Sequence, residues 1–159
     1  MNTELFHTPC LTDFLYVCSR LPLDEQEQVE AATGKAIDFD HLASSLYLGS
    51  GPRWVLTGRE FNTPMAIGGC TQPRAGVWTS WMYVLDEAWQ LHARDITRHC
   101  RKIMEVLFDQ GAHRIECVCL ANRHTAHRWY DTLGLEREGT LRAWGARGED
   151  AVMFSRVRK

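Results

Sequence analysis

Residues 115–142 read IECVCLANRHTAHRWYDTLGLEREGTLR, and three segments follow one another within them. The apolar run at residues 115–121 is short and partly β-branched, which is typical of a strand buried on both faces. After Asn122, apolar residues recur at helical spacing, at Ala126, Trp129, Tyr130 and Leu133. This spacing predicts a short helix that Gly134 is placed to end, with a second strand over residues 135–142. The stretch is therefore expected to fold as strand, turn, helix and strand.

The composition is that of an ordinary globular protein, with 45% hydrophobic and 24% charged residues. A net charge of −2 gives no basic field for nucleic acid, which we do not expect as a partner. No apolar run approaches the roughly 20 residues of a membrane span, so no membrane partner is expected. The six cysteines come without a signal peptide, which favours a reducing, cytoplasmic location.

The rest of the chain alternates helical and strand patterns. Residues 12–32 predict two helical pieces, with Thr12 or Asp13 as the first N-cap and Gly34 ending the second piece. A third helix is expected near residues 39–47. Three strands follow over residues 53–57, 64–70 and 76–85, and a long helix has its buried face at Ile96, Cys100, Ile103, Met104 and Leu107. This order predicts an α+β protein with a mixed sheet.

The 115–142 stretch resembles the C-terminal half of the GNAT acyltransferase family, in which a strand is followed by N..A...Y..LGF...G. The corresponding residues are Asn122, Ala126, Tyr130, Leu133, Gly134, Leu135 and Gly139. Leu135 stands where the family more often has Phe, and one more residue separates Asn122 from Ala126 than in the family pattern. The resemblance implies the GNAT fold, a mixed and mostly antiparallel central sheet flanked by helices. It also implies one GNAT-like domain over residues 1–159, with a helical N-terminal part at 1–52 and the sheet and cofactor-binding core at 53–159.

The resemblance further implies an N-acetyltransferase that uses acetyl-CoA. The cofactor would lie between the strands that the family counts as its fourth and fifth, here residues 76–85 and 115–121, held by backbone groups around Val84 and Leu85. Tyr130 stands where many GNAT enzymes keep the tyrosine that protonates the departing thiolate, although its spacing also suits a core aromatic residue. Asn122 would hydrogen-bond the pantetheine arm, or would stop the strand and cap the following helix.

The family binds pyrophosphate at a turn of the form Q/R..G.G/A between the fourth strand and the long helix. Here Gln90 fits the first position, but Ala93 and Asp95 replace the two small flexible residues. Asp95 is expected to act as the N-cap of a helix beginning at Ile96. Arg94 and Arg98 would then offset the lost backbone contacts by binding phosphate through their side chains.

The reaction also requires a base for the acceptor, which the resemblance makes a primary amine of a small molecule or of a protein. Glu87 is the first choice because it follows the fourth strand, with Asp86 and Glu116 as alternatives, although each also suits a solvated or paired carboxylate. Trp78 and Trp81 would form an aromatic acceptor pocket or pack in a core or subunit interface.

Cysteine and histidine residues lie close together in the sequence, with Cys117 and Cys119 in the strand at residues 115–121 and His124 and His127 in the helix that follows. Cys-x-Cys on a strand followed by His-x-x-His on a helix is not a standard zinc spacing. The two cysteines are more simply explained as small buried residues on one face of the strand. We therefore predict that the chain has no metal site.

The N-terminal half carries a second resemblance, to GNAT-like proteins of tailed phages that include an internal virion protein with a PLAIGG strand. The corresponding residues 64–69 read PMAIGG. This leaves an alternative, a phage or prophage structural or interaction protein that keeps the GNAT fold without catalysis. Its partners would be phage virion proteins and it would be associated with the virion, whereas the enzyme would be a possible homodimer, as is common in the family.

Overall fold

The computed structural model describes residues 5–59 and 62–159, and within them the chain forms seven strands and five helices. The strands are β1 (Phe6–His7), β2 (Arg53–Thr57), β3 (Pro64–Arg74), β4 (Val77–Val84), β5 (Arg114–Leu120), β6 (Glu136–Leu141) and β7 (Ala151–Val157). The helices are α1 (Leu11–Cys18), α2 (Leu23–Thr33), α3 (Phe39–Leu48), α4 (Asp86–Asp109) and α5 (His124–Thr132).

All strands join one sheet in the order β1-β2-β3-β4-β5-β7-β6. Each neighbouring pair is antiparallel except β4 and β5, which are parallel. Short connections permit the antiparallel β2–β3–β4 meander, whereas a parallel pair needs a long crossover, which α4 provides. The predicted α+β class with a mixed, mostly antiparallel sheet flanked by helices is confirmed.

Helices cover both faces of the sheet because strand side chains alternate between the faces. In β2, Val55 packs with α1 and α3 on the first face, in a core that includes Phe14. Its neighbours Trp54 and Leu56 pack on the second face, against the N-terminal half of α4. The C-terminal half of α4 and α5 cover β5 and β7 on that same face. None of the helices in the described residues has the length and apolarity needed to cross a membrane.

The helix ends follow local chemistry. Gly34 ends α2 in the left-handed conformation with φ of 71°, as predicted, because glycine has no Cβ to clash there. The predicted N-cap of α1 at Thr12 or Asp13 is wrong, since the N-cap is Cys10. Asp13 instead lies in the first turn, where its carboxylate accepts a hydrogen bond of 2.8 Å from the Cys10 N–H. This reciprocal bond allows the helix to begin two residues earlier than the sequence pattern indicates.

Candidate functional site

The central feature of the sheet is an opening between β4 and β5. The two strands pair at their amino-terminal ends, from Val77 opposite Arg114 to Thr79 opposite Glu116. Beyond that point β4 stays paired with β3 up to Val84, and β5 stays paired with β7 up to Leu120. The strands therefore separate toward their carboxyl ends and leave backbone edges that face each other across a gap.

Successive residues of β4 direct their backbone N–H and C=O groups alternately toward β3 and toward the opening. The Leu85 N–H donates to the Met65 carbonyl at 2.9 Å, away from the opening. Because hydrogen-bonding directions alternate along a strand, Val84 directs its N–H and C=O toward the opening. On the β5 edge, the Leu120 N–H donates to Gln28 Oε1 at 2.9 Å. Side chains from α2 thus reach into the gap that β4 leaves.

Tyr130 lies on the α5 side of the opening. Its ring contacts Phe154 at a centroid distance of 5.0 Å and Trp129 at 5.8 Å. Burial raises the pKa of Tyr130 well above its ordinary value, and the nearby thiols of Cys117 and Cys119 add to this effect. The hydroxyl therefore keeps its proton at neutral pH, which is the protonation state that a general acid requires.

The α2 side of the opening holds an ion pair that sequence reasoning missed. Arg123 Nη2 donates to Glu25 Oε1 at 2.7 Å and to Asp24 Oδ2 at 3.1 Å. The Arg123 and Glu25 side chains are only 14% and 13% exposed. Burial raises the pKa of Glu25, and it outweighs the opposing effect of Arg123. Asp24 and Glu25 had no distinguishing signal in the sequence, because acidic residues are common in the first turn of any helix.

Tyr83 extends this group from the end of β4. Burial raises its pKa above the ordinary value, and the charge of Glu25 raises it further. The residue is opposite Ile67 in β3, whose side chain belongs to the core beneath α1 and α3. The opening is thus lined by a tyrosine on each face, Tyr83 toward the N-terminal helices and Tyr130 toward α5.

The segment predicted to bind pyrophosphate is part of a helix. α4 begins at Asp86 and bends at His92, which has the non-helical values φ −133° and ψ 19°. The predicted role of Asp95 as N-cap of a helix beginning at Ile96 is therefore wrong, because Asp95 lies inside the helix. Its carboxylate oxygens lie 3.5 Å from His92 Nδ1 and 3.4 Å from Arg98 Nη1. Arg94 and Gln90 are exposed on either side of the bend.

The remaining candidate residues lie around the rim. Glu87 is exposed in the first turn of α4. Glu116 forms an ion pair with Arg114 at 2.5 Å, at the last paired position before the opening. Asn122 is exposed in the turn after β5, and it does not cap α5, whose N-cap residue is Arg123. The capping alternative for Asn122 is thus wrong, and the residue is left at the carboxyl end of β5.

Comparison with solved structures finds the same architecture in many acetyltransferases. A ribosomal-protein-alanine N-acetyltransferase from Brucella melitensis superposes with a TM-score of 0.71 at 15% identity, covering 97% of this chain and 99% of the other. A GNAT-family acetyltransferase from Bacillus anthracis gives 0.73 at 11% identity, with coverage of 97% and 95%. This chain has the GNAT fold. A variant of the spermidine N-acetyltransferase from Vibrio cholerae gives a TM-score of 0.70 at 12% identity, with coverage of 96% and 92%.

Sequence comparisons do not narrow the assignment within the GNAT fold, since neither protein-family models nor curated proteins give a match. Function must therefore be inferred from the residues at the opening. The Val84 backbone and the Tyr130 hydroxyl suit an acyl-CoA site, because one offers hydrogen bonds to an extended arm and the other offers a proton. Asp95 does not suit it, since its carboxylate stands at the bend where the resemblance places a pyrophosphate.

The two tryptophans of β4 do not share a pocket. Trp78 packs with the core beneath α4 and α5, whereas Trp81 contacts Phe14 at a centroid distance of 6.0 Å on the opposite face. Three positions separate them, and an odd spacing along a strand places side chains on opposite faces. The joint aromatic acceptor pocket is therefore excluded. Trp81 instead lines a separate cavity of about 300 Å³ between α3 and the sheet.

The cysteines of β5 and the histidines of α5 have structural contacts. Cys117 and Cys119 are 5% and 0% exposed, which agrees with their predicted role as small buried residues. The His127 ring nitrogen Nε2 lies 3.0 Å from the Leu120 carbonyl oxygen. Over residues 5–59 and 62–159, no group of three or more His, Cys, Asp or Glu side chains is arranged to hold a metal ion.

Proposed function

We propose that this chain is an N-acetyltransferase that transfers the acetyl group of acetyl-CoA to a primary amine of a small molecule or protein. The observation that carries the proposal is the β4–β5 opening of a GNAT fold, with Val84 backbone groups on one edge and the protonated Tyr130 hydroxyl beside it. An extended amide-containing arm in this opening would complete the interrupted hydrogen bonding of β4. The acyl end would then lie near Tyr130.

The residues at the opening and at the bend of α4 would have different roles in the proposed reaction. The Val84 backbone would hold the pantetheine, together with the Asn122 side chain, whereas Leu85 would not, because its N–H donates to the Met65 carbonyl away from the opening. Gln90, Arg94 and Arg98 would bind the pyrophosphate. As the amine nitrogen bonds to the acetyl carbon and the carbon–sulfur bond breaks, Tyr130 would donate its proton to the sulfur, and Glu87 would take the proton that the amine loses.

The proposal can be tested by substituting the charged residues near the bend of α4. Calorimetry would compare acetyl-CoA binding by the native protein, by Asp95→Gly and by the double variant Arg94→Ala, Arg98→Ala. Because Asp95 faces the pyrophosphate position and the arginines offset it, we expect micromolar binding that the double variant weakens at least tenfold, which corresponds to about 1.4 kcal/mol. Arg20→Ala, in the turn that follows α1, is a charge control and should bind as the native protein does.

A second candidate is a phage structural or interaction protein that keeps the fold without catalysis. The observation in its favour is the Asp95 carboxylate, held at the bend by His92 and Arg98. This candidate predicts no acetyl-CoA binding by the native protein and a gain of binding in Asp95→Gly. That result would reject the enzyme proposal and redirect the search to a protein partner.

A further inference from the structure

The cavity that Trp81 lines lies over the first face of the sheet, beneath the end of α3. Its volume of about 300 Å³ is at the lower end of the range that small-molecule sites occupy. Side chains of β2, β3 and β4 line it together with the end of α3, and the described residues of β5, α4 and α5 contribute none. Binding in this cavity is therefore separate from the β4–β5 opening, and this inference does not rest on the proposed function.

The register of the sheet creates the floor of the cavity. Arg53, Gly69 and Trp81 lie opposite one another in β2, β3 and β4, so they form one row across the first face. The next row on that face has Thr71 opposite Thr79. Gly69 has no side chain, and the Trp81 ring lies so close above it that a Cβ there would be 2.7 Å from Trp81 Cζ2. The floor thus has a guanidinium on one side and an indole on the other.

Arg53 gives this cavity a positive charge, because it is the one ionisable side chain in the lining. Its guanidinium carbon lies 5.4 Å from the centre of the Tyr47 ring, and within residues 5–59 and 62–159 it forms no ion pair with a carboxylate. A guanidinium without a carboxylate partner can bind the two oxygens of a ligand carboxylate. The carboxyl end of α3 opposes an anion only in part, because a helix end carries roughly half a charge.

The remaining lining favours an anion that carries an apolar group. Most of the cavity surface is apolar, with Leu46 on the α3 side and the Trp81 indole on the sheet. Trp81 is half-buried by contacts that include Phe14, so part of the ring is left for a ligand. A small inorganic anion would leave this apolar surface in water, whereas an aromatic group would cover it.

We propose that the cavity beneath α3 is a binding site for a small aromatic monocarboxylate. The carboxylate pairs with the Arg53 guanidinium at the β2 side of the floor. The aromatic group lies over Gly69, between Leu46 and the Trp81 indole. The hydroxyl groups of the Thr71 and Thr79 row are the nearby hydrogen-bond donors for the ligand oxygens.

The native protein tests the proposal with three probes in calorimetry without acetyl-CoA. Phenylacetate has both the charge and the ring, phenylacetamide has the same shape without the charge, and acetate has the charge without the ring. We expect phenylacetate to bind at least tenfold more tightly than either of the other two. Equal binding of phenylacetate and phenylacetamide, or no binding of phenylacetate, would overturn the proposal.

Arg53→Gln separates a binding role from a structural one. The variant should weaken phenylacetate binding at least tenfold and leave phenylacetamide binding unchanged, because only the charged ligand loses its partner. Arg74→Gln is the matched control, since Arg74 is an exposed arginine of β3 that does not line the cavity. Phenylacetate selectivity that persists in Arg53→Gln would reject Arg53 as the anion partner and with it the proposed site.

Ser45→Phe tests the position of the ligand without altering a strand. Ser45 is an exposed residue of α3 that lines the cavity, so a phenyl group there should fill it and abolish phenylacetate binding, whereas Ser45→Ala should bind as the native protein does. Phenylacetate should also change the tryptophan fluorescence of the native protein but not of Trp81→Phe. Native-like binding by Ser45→Phe, or an equal fluorescence change in Trp81→Phe, would place the ligand elsewhere and overturn the proposal. If circular dichroism shows that Arg53→Gln does not fold, the probe series and Ser45→Phe decide.

Discussion

At the scale of single residues, the protonation of Tyr130 governs what the opening can do. Burial between Trp129, Phe154 and the two β5 thiols stabilises the neutral phenol. A tyrosine in this state donates a proton but does not act as a base at neutral pH. This matches the demand of a departing thiolate, and it leaves removal of the amine proton to a carboxylate or to water.

Tyr130→Phe should therefore lower kcat by about a hundredfold, the lower end of what general-acid catalysis contributes, and leave the acetyl-CoA dissociation constant nearly unchanged. Because the pKa of Tyr130 is raised above 10.0, the native kcat should not fall through phenol ionisation between neutral pH and pH 10. Steady-state kinetics over this pH range check both statements. Tyr16→Phe is the control, because Tyr16 lies on α1 with its ring against Arg20, and an equal loss of kcat in it would contradict the assigned role.

At the scale of elements, β1 is held to the protein by α4 as well as by its neighbouring strand. The His99 ring of α4 stacks on Phe6 of β1 at a centroid distance of 3.8 Å and contacts Trp54 of β2 at 5.1 Å. Its Nε2 atom is buried without a hydrogen bond in the described ranges. Burial lowers the pKa of His99 to about 4, and the charge of Lys102 contributes. A proton on this ring would be poorly solvated, so the contact favours neutral histidine.

This contact predicts acid sensitivity. The unfolded state binds a proton near pH 6.5 and the folded state only near pH 4, so stability should rise with pH across this window and fall as pH is lowered through it. His99→Phe keeps the stack without the titrating group and should remove that part of the pH dependence. Thermal unfolding between pH 4 and 7 measures it, with the exposed His41→Gln as control. A native protein whose Tm changes no more than that of His99→Phe would contradict the prediction.

At the scale of the whole molecule, α2 connects the N-terminal helices to the C-terminal part of the sheet. Its Gln28 accepts from Leu120, its first turn binds Arg123, and its Ala31 carbonyl accepts from the Ala146 N–H at 2.8 Å. The Gln28 bond lies on the β5 edge of the opening where β4 and β5 separate. α2 therefore replaces part of the hydrogen bonding that a continuous sheet would have made.

Gln28→Ala should lower the free energy of unfolding by about 1 kcal/mol, because the Leu120 N–H loses its partner inside the opening. The same amide should exchange its hydrogen faster than in the native protein. Chemical denaturation and hydrogen exchange by NMR measure the two effects. Glu27→Ala, on the exposed side of α2, should change neither, and unaltered Leu120 exchange in Gln28→Ala would show that α2 does not close the gap.

The sequence alone determined the order and type of most elements, from α1 to β6, because these follow from short-range periodicity and turn chemistry. The 115–142 stretch predicted β5, α5 and β6 together, and Gly34 predicted the end of α2. Local sequence pattern predicted the starts of helices less well, because a single side-chain hydrogen bond can decide which residue is the N-cap. The segment from Gln90 to Asp95, which the resemblance placed in a turn, is part of α4, and Asp13 became a first-turn residue instead of a cap.

Only the tertiary structure decided what surrounds the opening. Glu25 and Arg123 are 98 positions apart, and no periodicity connects residues that meet through packing of α2 across the sheet. The same holds for Trp78 and Trp81, which are neighbours in sequence but are separated by the sheet itself. Elements follow from the spacing of side chains along the chain. The position of the site depends on which strand edges remain unpaired. Those edges are defined only when the whole sheet has formed.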